Sequence, residues 1–238
     1  MKVKLFRRES TESTPYWQEF EYEVKGHISI LNMLEDINKN YICRSDGKIE
    51  DPVCFESSCQ QGLCGSCAMI INNEPRLACQ TFCDEFVGKA DVITVSPLTK
   101  FPVIKDLMVD RSEMFDAMNQ MKLWMEGDAK NGRGSNRKQY QAALCVMCGC
   151  CLEACPNYAP GDLFKGLPAA LATVNILKKS ENSEHKTAIR DSYIKSVFKG
   201  CTKSMACEKV CPMSIPGVTL LAEGNRLSVW KLWKLITK

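Results

Sequence analysis

Histidine is almost missing from this chain: His27 and His185 are the only two in 238 residues. That scarcity excludes metal centres built mainly on imidazole. Long apolar runs are missing too, since no stretch approaches the roughly 18 apolar residues that a membrane-spanning helix needs. The first residues, Met1-Lys2-Val3-Lys4-Leu5-Phe6-Arg7-Arg8-Glu9, alternate apolar with charged and read as a strand, not as the apolar core of a signal peptide. No GxGxxG element is present, so the chain carries no dinucleotide-binding turn of its own. Neither sign of charge dominates: 31 basic against 28 acidic residues leave a net charge of +3. The charge is unevenly spread, with 11 basic and 15 acidic residues in 1–100 and 20 and 13 in 101–238, which points to two units with different surfaces. Basic residues lie scattered among acidic ones, which disfavours nucleic-acid binding.

What the chain has in abundance is cysteine, fifteen in all. With no secretory leader in view, a reducing compartment is expected, and cysteine there serves metal more often than disulfides. An odd count also argues against a complete disulfide framework.

The apolar pattern predicts an α+β organisation. Val3 and Leu5, then Phe20, Tyr22 and Val24, alternate with polar residues as two half-buried strands. Ile30, Leu31, Leu34, Ile37 and Tyr41 recur at helical spacing. A cysteine- and glycine-rich loop covers 57–67. Residues 68–71 and 76–81 flank Asn72-Asn73-Glu74-Pro75 as a hairpin, and 92–95 forms a last strand. Pro97 and Pro102 mark a boundary, which divides the chain into domains 1–100 and 101–238. Beyond it Leu107, Phe115, Met118 and Met121 fit one helical face, 127–138 is a polar loop, and helices are expected near 167–177 and 189–198. The second domain is mainly α-helical.

Three cysteine constellations carry the chemistry. Cys59-x4-Cys64-x2-Cys67, followed by Cys79, has the plant-type spacing of a [2Fe–2S] cluster. Four thiolates leave such a cluster a net anion. Backbone N–H groups directed at the sulfurs stabilise it, and Gly62, Gly65 and Ser66 permit the tight wrap. Cys79 is expected on the second hairpin strand. The competing zinc reading calls for paired Cys-x2-Cys steps or cysteine mixed with histidine. A Rieske centre is excluded by histidine content. His27 and His185 stand far from the loop in sequence and read as ordinary surface or internally satisfied residues.

Cys145-x2-Cys148-x2-Cys151-x3-Cys155-Pro156 is a bacterial ferredoxin run, whose fourth cysteine ligates the other cluster in two-cluster ferredoxins. A second run, Cys201-x2-Ser204-x2-Cys207-x3-Cys211-Pro212, matches it with one serine. Crossing the ligands gives Cys145, Cys148, Cys151 and Cys211 to a [4Fe–4S] cluster. Cys155, Cys201 and Cys207 are left for a three-thiolate [3Fe–4S] cluster, with Ser204 where a fourth thiolate would stand. Ligation of a fourth iron by the Ser204 alkoxide is the alternative, disfavoured because a hydroxyl is a weaker acid than a thiol and a poorer partner for iron. Cys43, Cys54, Cys83 and Cys150 are left over, with core packing as the default. No catalytic residue is identified.

In these motifs and their order the chain resembles the iron–sulfur subunit of fumarate reductase and succinate dehydrogenase, most specifically over residues 50–217. The resemblance implies an N-terminal β-grasp plant-type ferredoxin domain followed by a bacterial-ferredoxin-like helical domain. It implies a flavoprotein (FAD) catalytic subunit and a quinone-binding membrane anchor as partners, and a peripheral location on the cytoplasmic side of the inner membrane. All eleven cysteines carry over. Ser204 departs from the family pattern, where a hydrophobic residue is usual. Residues 72–82, and Phe101-Pro102 with Asp106-Leu107 and Val109-Asp110, look closer to fumarate reductases. Many succinate dehydrogenases place a histidine after the first cysteine of the last run and a tryptophan after the ferredoxin run. Here Thr202 follows Cys201, and 156–160 holds no tryptophan. The resemblance therefore favours a quinol:fumarate reductase using a low-potential quinone such as menaquinone, with succinate dehydrogenase or another flavoenzyme as alternatives. Trp230, Lys231, Trp233, Lys234 and Lys238 give the C-terminus the character of a bilayer-interface segment, or of a tail packed on protein. Asn225 and Arg226 are candidates for the quinone's vicinity.

Overall fold

A computed structural model describes residues 1–40, 51–129 and 137–230. The described residues form two compact units, Met1–Asp110 with Cys148–Glu153, and Arg111–Met147 with Ala154 onward.

The first unit is built on a five-stranded mixed sheet. Its strands are β1 (Lys2–Arg7), β2 (Tyr16–Glu21), β3 (Ala68–Ile71), β4 (Glu74–Leu77) and β5 (Val92–Ser96), in the order β2-β1-β5-β3-β4. β1 pairs antiparallel with β2 and parallel with β5. The alternation in the sequence sets which side faces in: Val3, Leu5, Phe20, Ile93 and Val95 are buried, as are Ile30, Leu31, Leu34 and Ile37 of α1 (Ile30–Asn40). Ser29 caps that helix by accepting the Asn32 N–H at 3.1 Å. Tyr41, expected on the same face, lies outside the described residues.

The β3–β4 hairpin turns on two residues, Asn72 (φ 46°) and Asn73 (φ 66°), both left-handed. Asparagine tolerates this conformation, and two left-handed residues match the twist of a tight hairpin. The second strand is shorter than the alternation suggests. It ends at Leu77, and Ala78–Gln80 form a 3₁₀ turn, so Cys79 comes from that turn rather than from the strand.

A second hairpin, β6 (Val103–Lys105) and β7 (Met108–Val109), places Leu107 in its turn and not on the helix where its spacing had put it. Asp106 in that turn is left-handed (φ 46°) and buried. Its Oδ1 accepts from Arg7 Nε at 3.0 Å and Arg8 N–H at 2.8 Å, and its Oδ2 accepts from Cys54 N–H at 2.8 Å. The guanidinium of Arg7, also buried, donates to Gln18 and to the Asp51 carbonyl. One carboxylate thus joins three separate chain segments. The short helix α4 (Cys150–Glu153) completes the unit and packs against β4.

The second unit is helical: α2 (Ser112–Gln120), α3 (Arg137–Ala143), α5 (Gly166–Lys179), α6 (Ser183–Tyr193), α7 (Ala206–Lys209) and α8 (Gly217–Ser228). Its core gathers Met121, Ala169, Ala170, Tyr193 and Val197, with Met118 packed alongside. Phe115, placed by periodicity on the buried face of α2, is instead 60% exposed. Helix α6 runs into a π-helical turn at Ile194–Phe198. Glu223 of α8 is only 3% exposed, and its carboxylate meets Lys138 at 2.8 Å, Lys178 at 3.2 Å and Arg226 at 2.7 Å. Hydrogen bonds from Arg226, opposed by burial and reinforced by the two lysines, hold this carboxyl well below the usual carboxylate range.

Asp106→Ala is expected to destabilise the first unit by about 3–5 kcal/mol in denaturant unfolding, because it removes the buried partner of the Arg7 charge and leaves only the half-exposed Asp51 carboxylate at 3.8 Å. Glu223→Gln should cost roughly 1–3 kcal/mol at neutral pH, discounted for the part-exposed cations. Because the folded-state pKa of Glu223 is depressed, its contribution is fully present above the unfolded value of about 4.3 and is lost as pH falls through the folded value. The gap between wild type and Glu223→Gln should therefore close on acidification, as read from unfolding midpoints across pH.

Candidate iron–sulfur sites

The loop that carries Cys59, Cys64 and Cys67 is shaped by left-handed residues at Gln60 (φ 57°), Gly62 (φ 75°) and Gly65 (φ 77°). At Gly62 a Cβ would also stand 2.8 Å from the Gln80 side chain, so the loop closes directly over the turn that holds Cys79. Inside it the sulfurs gather in pairs. Cys59 Sγ accepts the N–H groups of Gln61 at 3.4 Å and Leu63 at 3.2 Å. Cys64 Sγ and the Ser66 hydroxyl share a hydrogen bond of 3.0 Å. Cys67 Sγ and Cys79 Sγ are 3.4 Å apart. Two thiolates on one tetrahedral metal, with bonds of about 2.3 Å, stand roughly 3.8 Å apart, so this pair is spaced for a single iron.

The thiols of the loop are electrostatically unequal. At Cys64 burial works to raise the pKa, but hydrogen bonds from Ser66 and Cys59 overcome it and bring the thiol to about 6. At Cys67 burial, together with the neighbouring Cys79 and Cys64, pushes the thiol up to about 12. The Cys67 thiol resists ionisation unless positive charge lies close by, which iron would supply. The donor set, the paired spacing and the N–H groups aimed at sulfur all fit a [2Fe–2S] group held by Cys59, Cys64, Cys67 and Cys79.

In the second unit Cys155 and Cys201 lie near enough to Cys207 to act on its thiol electrostatically. Burial raises the Cys207 thiol first, and the nearby Cys155 and Cys201 raise it further. The π-helical turn leads into this site, with Cys201 N–H bonded to the Val197 carbonyl at 3.1 Å. Gly200 is packed so closely on Phe164 that a Cβ would come within 2.5 Å of its ring. The Thr202 hydroxyl donates to Asn157 Oδ1 at 2.7 Å, and Asn157 Nδ2 donates to the Gly200 carbonyl at 3.0 Å. These bonds tie the segment after Cys155 to the segment around Cys201. Ser204 is exposed, between left-handed Lys203 (φ 62°) and Met205 (φ 61°).

Cys148 and Cys151 belong to the first unit, in and just before α4, while Cys145 and Cys211 belong to the second. Among the described residues, no three His, Cys, Asp or Glu side chains converge on a single ion position.

Of the remaining cysteines, Cys83 and Cys150 are fully buried, in keeping with core packing. The Cys83 sulfur lies 3.8 Å from Met33 Sδ, and burial followed by the charge of Asp84 pushes its thiol up to about 11. Cys54 is half-buried, and Cys43 lies outside the described residues. His185 is buried and bonded through Nε2 to the Lys122 carbonyl at 2.9 Å. His27 comes closer to the cysteine loop than its position in sequence suggests. It stacks on Phe82 with ring centroids 3.8 Å apart and lines a cavity of about 400 Å³ with Gln60, Gln61 and Cys79. The Ser29–Phe82 bridge brings it there, a long-range contact that no local pattern reveals. Asn225 accepts a hydrogen bond of 2.8 Å from the buried Tyr193 hydroxyl, and Arg226 is engaged with Glu223. Trp230 is 60% exposed, and Lys231, Trp233, Lys234 and Lys238 lie outside the described residues. No helix among the described residues is long and apolar enough to cross a membrane.

Residues 1–116 match the 2Fe-2S iron-sulfur cluster binding domain, and residues 141–215 the 4Fe-4S dicluster domain. The succinate dehydrogenase iron-sulfur subunit of Bacillus subtilis is 33% identical over 235 residues, covering 93% of this chain and 90% of that protein. The fumarate reductase iron-sulfur subunit of Wolinella succinogenes is 29% identical, covering 91% of each. That of Haemophilus influenzae is 27% identical, covering 94% of this chain and 91% of that one. In fold the chain is similar to one in the Mycobacterium smegmatis Sdh1 complex in the apo form, with a TM-score of 0.77 over 97% of this chain and 96% of that one at 21% identity. With its mixed-sheet ferredoxin unit, its helical unit and relatives that match nearly end to end, the chain belongs to the family of succinate dehydrogenase and fumarate reductase iron–sulfur subunits.

Proposed function

We propose that this chain relays single electrons between a quinol at a membrane anchor and the flavin of a flavoprotein subunit that reduces fumarate to succinate. The observation that carries this reading is the gathering of predicted thiolate sets in the fold: Cys59, Cys64, Cys67 and Cys79 in one loop and turn, and Cys155, Cys201 and Cys207 in the helical unit. Iron–sulfur clusters supply one-electron storage at low reorganisation, which is what must stand between two two-electron carriers. On this reading Cys59, Cys64, Cys67 and Cys79 hold the [2Fe–2S] cluster, Cys145, Cys148, Cys151 and Cys211 the [4Fe–4S], and Cys155, Cys201 and Cys207 the [3Fe–4S].

The residues around the thiolates bias them electrostatically. N–H groups of Gln61 and Leu63 and the Ser66 hydroxyl stabilise negative charge on Cys59 and Cys64, while Cys67 and Cys79 sit in a drier setting. Hydrogen bonds to sulfur and solvent exposure are both levers on reduction potential. Three thiolates instead of four at the last site remove one negative charge and favour the reduced form there. The left-handed residues on either side of Ser204 support an exposed turn rather than a fourth ligand aimed inward.

The partners in this reading are a FAD-containing catalytic subunit and a quinone-binding anchor, with the chain peripheral on the cytoplasmic face of the membrane and menaquinone as the donor. Thr202 and Asn157, bonded to each other where many succinate dehydrogenases carry histidine and a nearby tryptophan, support the fumarate-reducing direction. Succinate oxidation is the second reading, favoured by the 33% identity with the Bacillus subtilis succinate dehydrogenase subunit.

Quinol:fumarate and succinate:quinone activities measured on one purified complex decide between them, and a ratio favouring fumarate reduction with menaquinol is expected. Ser204→Cys is expected to convert the three-iron cluster to [4Fe–4S], seen as loss of the EPR signal of the oxidised [3Fe–4S] form. An unchanged three-iron signal in that variant would sink the ligand assignment of the last site.

A further inference from the structure

The turn that carries Cys148 and Cys151 folds with the first unit, although the rest of its ferredoxin run does not. Three contacts hold it there. The Glu153 carboxylate accepts the Thr99 hydroxyl at 2.5 Å and the Lys100 backbone N–H at 3.0 Å, one bond on each oxygen. The Lys100 ammonium reaches back to the Leu152 carbonyl at 3.4 Å. Gly149, left-handed at φ +89°, lies so close to Phe101 and Leu98 that a Cβ would come within 3.0 Å of the phenyl ring. Both of those apolar side chains are buried in the first unit. Helix α4 meanwhile packs on β4, which runs directly into the 3₁₀ turn of Cys79. Two thiols of the proposed [4Fe–4S] set therefore ride on the same compact unit as all four thiols of the [2Fe–2S] set.

We propose that Glu153 is a positioning residue for electron transfer between these two clusters, clamping the Cys148–Cys151 turn to Thr99 and Lys100 and so setting its distance from the Cys79 turn. The proposal rests on the ligand assignment made above. If the two cysteine sets hold their clusters, the step that Glu153 would serve is the passage of one electron from one to the other, with no bond or proton changing place. The rate of such a step depends on separation, so a rigid attachment matters more here than in a purely structural turn. A carboxylate that accepts from both a hydroxyl and a backbone N–H is a charge-assisted, two-point attachment, which fixes orientation as well as distance. Gly149 lets the turn approach closely enough for that attachment to form.

The test is Glu153→Ala in the complete complex, with cluster content measured by EPR before anything else is compared. A paramagnetic [4Fe–4S] cluster nearby speeds relaxation of the reduced [2Fe–2S] signal, which microwave-power saturation reads. With all clusters present, Glu153→Ala is expected to lose that enhancement and to slow electron passage between the two clusters in freeze-quench experiments. Glu153→Gln, which keeps one acceptor oxygen, should restore part of both. If Glu153→Ala fails to assemble, Thr99→Val removes only one of the two bonds and should give an intermediate loss. Unchanged relaxation and transfer in a fully loaded variant would overturn the proposal. A wild-type complex without the [4Fe–4S] signal would instead overturn the ligand assignment beneath it.

Discussion

Sulfur against sulfur is the contact on which the rest of the first unit depends. Cys67 and Cys79 come within 3.4 Å of each other in a buried setting, which disfavours charge on the Cys67 sulfur. The chain answers asymmetrically. The Cys64 thiol is drawn to about 6 by its hydrogen bonds despite burial, while burial drives Cys67 to about 12. On the proposed ligation, iron would offset part of the negative charge on these four sulfurs. A loop built of left-handed glycines, wrapped over the Gln80 side chain, is the backbone shape that delivers them.

Such a cradle needs a rigid frame, and the sheet supplies it through long-range ties. The Asn72-Asn73 turn sets the hairpin register, which in turn sets where the chain leaves β4 for the 3₁₀ turn of Cys79. Behind it, Asp106 draws the end of β1, the 51–54 segment and the β6–β7 turn onto one buried carboxylate. The cost of burying that charge is offset by Arg7 and two backbone N–H groups, so the knot is specific in geometry even where its net stabilisation is modest.

The helical unit solves a similar problem by different means. A π-helical turn after Tyr193 shifts the helix register just before Cys201, a departure often found where function needs a side chain re-aimed. The Gly200–Phe164 contact and the Asn157–Thr202 bond keep the two cysteine-bearing segments side by side. Tyr193 fills the space beside Gly224, where a Cβ would meet its hydroxyl at 2.6 Å, and so locks α6 onto α8. Asn225 serves that packing, which its position in the sequence did not reveal.

Cysteine spacing alone carried the family, the two cluster-binding domains and the candidate ligands, because tight loops leave few ways to place several sulfurs on one small inorganic core. Strand alternation and helical periodicity likewise located β1, α1 and α5, since burial on one face is a local signal, whereas β2 runs Tyr16–Glu21 and leaves Tyr22 and Val24 beyond its end. Tertiary structure decided what depends on contacts distant in sequence. It ended β4 at Leu77 and gave Cys79 to a 3₁₀ turn, took Leu107 from a helix into a hairpin turn, and left Phe115 exposed. It brought His27 to the cavity beside Cys79 through the Ser29–Phe82 bridge. It also folded Cys148 and Cys151 with the first unit, held by Glu153 on Thr99 and Lys100. A carboxylate on a short helix looks the same in sequence whether it faces water or clamps a backbone more than fifty residues away. Only the packed chain distinguishes the two.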